Sequence, residues 1–176
     1  MRQLRGFTLI ELLTALAVIA IICAIAYPAF AGILRTIRVQ TATFQILEAV
    51  QLTRHHAITT NSRATIAPKD GDWQQGWEIF LDSNHNGERD TDEELLADGA
   101  ALHASIDVHG NRPVSRYISY LGSGESRWAT HSNGGAFQAG TISICPEEEG
   151  RGYQLVLARG GRMRKESIDE AECAAI

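Results

Sequence analysis

The sequence has no excess of positive charge, only three cysteines, and no side-chain arrangement typical of an active site. Its formal net charge is −5 over 176 residues, so binding to nucleic acid would need a local basic patch. No serine or cysteine lies in a nucleophile motif, and the histidines are scattered along the chain. These absences argue against an enzyme and against a protein that binds polyanions with its whole surface.

A cleavage site for ordinary secretion is also missing. Secretory signals place small residues at a cut after their apolar region, but none follows cleanly the uncharged run from Leu12 to Leu34. A helix needs about 20 residues to cross a bilayer core, and this run is longer than that. The part of the chain after it is roughly 140 residues long, enough for one domain and too few for two. The sequence therefore predicts one domain held at a membrane.

Several features cluster around the start of this run. A basic leader, residues 1–6, ends in Gly6 and is followed by Phe7. Glu11 is a lone acid at the head of the run, where a carboxylate is costly. It either lies at the membrane interface or pairs with a partner's charge once helices pack. Pro28, inside the run, removes one helix hydrogen bond and favours a bend.

The segment Arg5-Gly6-Phe7-Thr8-Leu9-Ile10-Glu11-Leu12 resembles the leader and N-terminus of type IV pilins and pseudopilins. The resemblance implies that a prepilin peptidase cuts between Gly6 and Phe7 and methylates the new amino terminus on Phe7. Glu11 then corresponds to the carboxylate that meets the N-terminal amine of a neighbouring pilin, and Pro28 to the proline that kinks the helix. The implied location is the inner membrane, with a periplasmic domain, and later a pilus or pseudopilus.

The helical pattern continues beyond the run to about Thr59, and Asn61-Ser62 ends it. Polar and apolar residues now alternate with helical spacing, which predicts one apolar stripe on an amphipathic half-helix. The predicted stripe consists of Ile33, Ile37, Phe44, Leu47 and Val50. The helix would be roughly 50 residues long, with residues 7–34 for the membrane or filament core and a globular domain over 35–176.

From Ser62 the pattern changes to short β-like runs separated by glycine and polar clusters. The predicted strands are 63–67, 77–81, 94–97, 101–108, 116–121, 141–145, 152–158 and 162–168. The glycine-rich stretch from Gly122 to Gly140 is predicted to be a long loop. We expect an α+β fold of the type IV pilin kind, in which one antiparallel sheet packs on the amphipathic half of the long helix.

Two of the three cysteines favour a disulfide. Cys23 lies inside the apolar run, whereas Cys145 and Cys173 lie in the part that should be extracytoplasmic. Two cysteines in an oxidising compartment favour a bond between them, with two free thiols as the alternative.

A stretch from Asp82 to Glu93 has the spacing of a calcium loop. Oxygen-bearing side chains and a glycine occupy positions 1, 3, 5, 6, 9 and 12 of such a loop; they are Asp82, Asn84, Asn86, Gly87, Asp90 and Glu93. However, a strand rather than a helix precedes the loop, and Asn-Gly is also a hairpin-turn signal. A plain hairpin that joins 77–81 to 94–97 is the alternative, and it needs no metal or other cofactor.

A basic stretch lies near the C-terminus. Between residues 151 and 165 there is no acid, and the basic residues are Arg151, Arg159, Arg162, Arg164 and Lys165. Arg162 and Arg164 are two apart, so they face the same side of a strand. Arginine suits bidentate contacts with phosphate. The alternative is that these charges form a solvated strand face or balance the acidic flanks.

The long helix, the strand Trp77–Asp82 with its Asn-Gly turn, and Gly161-Arg162-Met163-Arg164 together resemble FimT/GspH-type minor pilins. FimT-like members carry a C-terminal Gly-Arg-x-Arg motif that binds DNA in natural transformation, and Gly161, Arg162 and Arg164 match it. Arg159 and Lys165 join the site by charge and proximity only. The resemblance implies a DNA-binding minor pilin for DNA uptake. The alternative is a structural pseudopilin of type II secretion, or a pilus tip or priming subunit, without DNA binding.

Overall fold

A long N-terminal helix dominates the first third of the chain. The computed structural model describes residues 8–131 and 135–176, and helix α1 spans Leu9–Thr60. Asn61 leaves the helix with a positive φ of 48°. The Asn61 and Ser62 amides donate to the carbonyls of Ile58 and Ala57, the pair of bonds that defines a Schellman motif. The predicted length and end of the helix are therefore confirmed.

The chain divides into two compact units, Met1–Arg35 and Thr36–Ile176. In the first unit the described part is the apolar half of α1, whose large side chains are exposed. By length and composition, α1 is a helix that could cross a membrane. The second unit carries the rest of α1 and all the strands that the structure describes.

Within the described residues, eight strands and a short helix follow α1. They are β1 (Ala64–Pro68), β2 (Trp77–Leu81), β3 (Leu95–Gly99), β4 (Ile106–Gly110), β5 (Ile118–Tyr120), β6 (Gly140–Pro146), β7 (Gly152–Leu157), β8 (Met163–Ile168) and the helix α2 (Glu170–Ala174). Every predicted strand overlaps one of these, and β2 has the predicted bounds. The fourth strand is the least accurate prediction, because residues 101–105 precede β4 as loop and turn.

The strands form two sheets rather than one. The orders are β3-β2-β1-β5 and β4-β6-β7-β8, and every pair within them is antiparallel. The prediction of a single sheet is therefore wrong in number, although the α+β class and the antiparallel pairing are confirmed. The chain passes from β3 to β4 of the second sheet, returns to β5 of the first, and then reaches β6 through the glycine-rich stretch. That stretch forms isolated bridges between Tyr120 and Ser126 and between Arg127 and Phe137.

The buried face of α1 differs from the predicted stripe. Ile37 and Phe44 are 51% and 54% exposed, whereas Ile46 is fully buried. Ile37 and Ile46 are nine residues apart, and at about 100° per residue this puts them on opposite sides of the helix. Of the predicted stripe, Val50 is buried, Leu47 is partly buried, and the other three members are exposed.

Small and hydroxyl side chains explain the difference. The buried positions of α1 are Val39, Ala42, Thr43, Ile46, Ala49, Val50, Thr53 and Ala57. Thr43 and Thr53 donate their hydroxyls to the carbonyls four residues earlier, at 2.7 and 2.8 Å, so neither hydroxyl is left unsatisfied. A search for large apolar residues overlooks such a stripe, because many of its side chains are small or carry a hydroxyl.

Residues from both sheets meet this stripe in one hydrophobic core. Ile66 and Ile79 come from the first sheet, and Ile144 and Leu155 from the second. All four are at most 1% exposed. The second half of α1 is thus the element that both sheets share.

A disulfide fixes the C-terminal helix, as predicted. Cys145, in β6, is bonded to Cys173, in α2. Asp169 caps α2 by accepting from the Glu172 amide, and the Glu172 side chain accepts from the Asp169 amide in return. The tail is therefore held to the second sheet by a covalent bond and a capping box.

A matched pair of substitutions tests which face of α1 is buried. Ile46→Ala should lower the free energy of unfolding by about 2–5 kcal/mol, because it removes a fully buried side chain. Ile37→Ala should change it by less than about 0.5 kcal/mol, because that side chain is already half exposed. Thermal unfolding of the full chain in detergent, followed by tryptophan fluorescence, measures both. A larger loss for Ile37→Ala would contradict this packing.

Candidate nucleic-acid interface

The predicted basic site lies at the turn between β7 and β8. The Ala158 amide donates to the Arg162 carbonyl, and the Gly161 amide donates to the Ala158 carbonyl at 2.8 Å. Within the connection between the strands, these bonds close a three-residue loop over 159–161, and Gly161 has a φ of +78°. Three-residue hairpin loops end in a residue of left-handed conformation, which glycine adopts without strain. The hairpin tip, defined here as residues 159–162, thus has a fixed backbone.

Gly161 is also needed for contact with the rest of the protein. A Cβ built on it would lie 2.3 Å from the Gly124 carbonyl oxygen and 3.1 Å from the Ser126 amide nitrogen. The hairpin tip therefore packs directly against the loop that follows β5. Gly160, in contrast, has open space around it.

The arginines of this hairpin are exposed, but their surroundings differ. Arg159 and Arg162 form no ion pair or side-chain hydrogen bond with any residue in 8–131 or 135–176. Arg164, on β8, pairs through Nε with a Glu166 carboxylate oxygen at 2.7 Å. Both partners of that pair are well exposed. The hairpin tip therefore carries two guanidinium groups that have no partner among the described residues.

Lys165 lies on the other face of β8. Its Nζ is 4.3 Å from the centre of the Phe44 ring and 4.7 Å from that of Tyr153. Because side chains alternate along a strand, Arg164 and Lys165 point to opposite sides. Lys165 is thus engaged with aromatic rings beside α1, and the structure does not bring it together with Arg162 and Arg164.

The structure adds one cation that the sequence pattern could not show. Arg54, on α1, reaches the hairpin tip, where its Nη2 lies 3.5 Å from the Gly160 carbonyl oxygen. The contact spans 106 positions of sequence. Arg54 brings a further positive charge close to the tip from a separate element.

The predicted calcium loop is held by its own hydrogen bonds. Asp82 is fully buried, and its carboxylate accepts from the Asn86 and Gly87 amides at 2.9 and 3.0 Å. Glu93 accepts from the Ser83 amide at 2.8 Å. Asp90 accepts from the side-chain amides of Asn84 and Asn86 at 2.6 and 2.9 Å. Among the described residues, no group of three or more His, Cys, Asp or Glu side chains is placed to hold a metal ion.

The predicted hairpin between β2 and β3 is confirmed by their antiparallel pairing. The carboxylates of the loop accept hydrogen bonds from its own amides, as Asp side chains commonly do in turns. Calcium stays a prediction, and the donors around Asp82 and Asp90 do not favour it.

A buried charge network lies beneath the same loop. Arg63 is only 3% exposed. Its guanidinium donates to His85 Nδ1, to the Ser119 hydroxyl at 2.8 Å and to the Arg127 carbonyl. Burial lowers the pKa of Arg63, and the negative charge of Asp82 opposes that effect. The network joins β1 and β5 to the calcium-like loop and to the stretch after β5.

Part of the predicted N-terminal site lies outside the described residues. This applies to Gly6 and Phe7 and to the side chain of Pro28. Glu11 is described, and its Oε2 accepts from the Thr8 amide and hydroxyl at 2.9 and 2.8 Å. Its carboxylate thus caps the first turn of α1.

Two family comparisons bear on identity. Residues 42–161 match the family described as type II transport protein GspH. Residues 1–27 match the prokaryotic N-terminal methylation motif. The chain belongs to the GspH family. It is a membrane-anchored minor pilin or pseudopilin of the type IV pilin kind, and its family implies assembly with other pilins in a filament.

Solved structures agree with the GspH-family fold. The chain is similar to the type IV minor pilin FimU of Pseudomonas aeruginosa, with 20% identity, a TM-score of 0.55, and coverage of 73% of this chain and 87% of that one. It is also similar to the minor pseudopilin EpsH from the type 2 secretion system of Vibrio cholerae, with 13% identity, a TM-score of 0.53, and coverage of 74% and 97%. No curated protein sequence matches the chain.

Neighbouring glycines of the hairpin tip provide a test of its conformation. Gly161→Ala should destabilise the protein by more than about 1 kcal/mol, because the new side chain would meet both a strained φ and the Gly124 carbonyl. Gly160→Ala, in open space, should cost less than about 0.5 kcal/mol. Equal melting temperatures for the two variants would contradict the hairpin geometry.

Chelation tests the calcium interpretation. Because the loop carboxylates already accept amide hydrogen bonds, adding calcium or a chelator should shift the melting temperature by less than about 1 °C. The measurement is thermal unfolding of the full chain with millimolar calcium and again with excess chelator. A clear fall in melting temperature with chelator would restore the calcium site.

Proposed function

We propose that this GspH-family protein is a minor type IV pilin that binds DNA for uptake in natural transformation. The observation that carries the proposal is the hairpin tip, where Arg159 and Arg162 are exposed and lack partners within the described chain. A fixed backbone holds them, and Arg54 adds charge from α1. Preorganised cations of this kind suit phosphate contacts, because little conformational entropy is lost on binding.

The charge distribution supports a local site on an acidic protein. The net charge of −5 gives no general attraction to a polyanion. The stretch 151–165 nevertheless contains no acid, and Arg159, Arg162 and Arg164 gather at the end of β7 and β8 where the hairpin turns. Arg164 can join them, since its exposed pair with Glu166 is worth little in water and can yield to a phosphate. Lys165 is the weakest member, because it faces Phe44 and Tyr153.

Such contacts predict binding that depends little on base sequence and strongly on salt. Phosphate contacts position a protein on nucleic acid, while base contacts give specificity. Each phosphate contact that is lost should lower the dependence of log K on log salt by about one unit.

The N-terminus supplies delivery and assembly in this proposal. A prepilin peptidase would cut between Gly6 and Phe7 and methylate Phe7. Glu11 would then meet the terminal amine of a neighbouring pilin, and Pro28 would bend α1. The protein would start in the inner membrane with its second unit in the periplasm, where the Cys145–Cys173 disulfide is stable, and then enter a pilus.

A structural role without DNA binding is the second candidate. The match to the type II transport protein GspH favours it, because that family description names transport and not DNA. In this role the protein would be a minor pseudopilin or a tip subunit. Its deletion would then abolish secretion or pili instead of transformation.

A gel shift tests DNA binding directly. The full chain in detergent micelles is titrated onto duplex DNA at several salt concentrations. Arg162→Ala combined with Arg164→Ala should weaken binding about 10-fold or more and lower the salt slope by about two units.

Arg151→Ala is the matched control. It removes an exposed arginine of the same basic stretch, but at the other end of β7 from the hairpin tip. It should leave binding within about twofold of wild type. If the double variant binds duplex DNA as tightly as wild type, the DNA-binding proposal fails and the structural role is favoured.

A further inference from the structure

An exposed aromatic ring belongs to the stretch against which the hairpin tip packs. Phe137 belongs to the stretch between β5 and β6 and is 47% exposed. Its neighbour Gln138 is fully buried. The Gln138 side chain accepts a hydrogen bond from the Ser119 amide and donates one to the Tyr117 carbonyl. Adjacent residues of an extended segment point to opposite sides. Burial of Gln138 therefore turns Phe137 outward.

The ring has a fixed orientation. The Arg127 guanidinium carbon lies 4.1 Å from the centre of the Phe137 ring. Arg127 also donates to a Glu125 carboxylate oxygen at 3.1 Å and to the Gly135 carbonyl at 3.1 Å. Its charge is thus compensated by an acid, so it clamps the ring rather than offering a free cation. One face of Phe137 is covered, and its exposed area belongs to the remaining face and edge.

Short contacts join the segment that carries this ring to the hairpin tip. The Gln138 amide donates to the Ser126 carbonyl, and the Ser126 hydroxyl lies 3.5 Å from the Ala158 carbonyl oxygen. Ser126 is also the residue against which Gly161 packs. In sequence, Phe137 precedes Gln138 and Arg159 follows Ala158, so each is the immediate neighbour of a residue in these contacts.

We propose that Phe137 is a stacking platform for an unpaired nucleobase, so that the hairpin tip and the ring together prefer single-stranded DNA. The inference rests on the proposed function, since the arginines must hold the phosphates first. An aromatic face next to a groove of positive charge is the arrangement that binds single strands without sequence preference, because every base has a π-face. In a duplex the bases are already stacked, so the ring would gain nothing from them.

Fluorescence anisotropy with the full chain in detergent tests this. The probes are a labelled oligothymidylate and a labelled duplex of the same length. Phe137→Leu keeps apolar bulk without the π-face and should weaken oligothymidylate binding about 5- to 100-fold. Phe137→Trp keeps the π-face and should bind it at least as tightly as wild type. Duplex affinity should stay within about twofold in both variants.

Phe44→Leu is the matched control, because Phe44 is another exposed phenylalanine with a cation, Lys165, over its ring. It should leave oligothymidylate binding unchanged. If Phe137→Leu binds the oligothymidylate as wild type does, while the duplex still binds through Arg162 and Arg164, this inference fails and the proposed function stands. If wild type binds neither probe, the proposed function fails. An equal loss for Phe44→Leu and Phe137→Leu also overturns a specific stacking role.

Discussion

The packing of two sheets on one narrow stripe of α1 is the constraint on which the globular unit depends. Alanine and threonine dominate that stripe, and the threonine hydroxyls are satisfied within the helix. Small side chains leave room around the same helix for core residues of both sheets, because each occupies little volume. Larger side chains at Ala42 or Ala49 would have to displace the core residues of one sheet or the other, and overpacking of that kind is costly.

A second, polar layer lies on the far side of the first sheet. Thr65 and Ser119 point away from α1 there, and Arg63 and Asp82 are buried among them. Burying charges is expensive unless they are paired and hydrogen-bonded. The arrangement satisfies this condition with donors and acceptors from two loops, so it orders those loops. The stretch after β5, on which the hairpin tip rests, is held by the same set of hydrogen bonds.

These two layers explain how an acidic protein can present a defined basic site. The hairpin tip has little apolar surface of its own, and its position comes from Gly161 packed against Gly124 and Ser126. Most acidic residues of the C-terminal region lie at the opposite end of β7, around the turn after β6 and in α2, whereas Glu166 lies on β8 and pairs with Arg164. Most charges of opposite sign are thus separated along the second sheet, although they are close together in sequence.

Local periodicity determined much of this protein. The apolar run, the motif around Gly6 and Phe7, the long helix, the approximate strands and the Cys145–Cys173 bond were all predicted from the sequence, because each depends on neighbouring residues or on compartment. Tertiary structure alone decided that the strands divide into two sheets, that α1 buries its small residues and exposes Ile37, and that Lys165 turns from the arginines toward Phe44. It also brought Arg54 to the hairpin tip and packed the stretch that contains Phe137 against the end of β7. Spacing along a chain fixes which side chains share a face, but only packing between distant segments determines which face is covered.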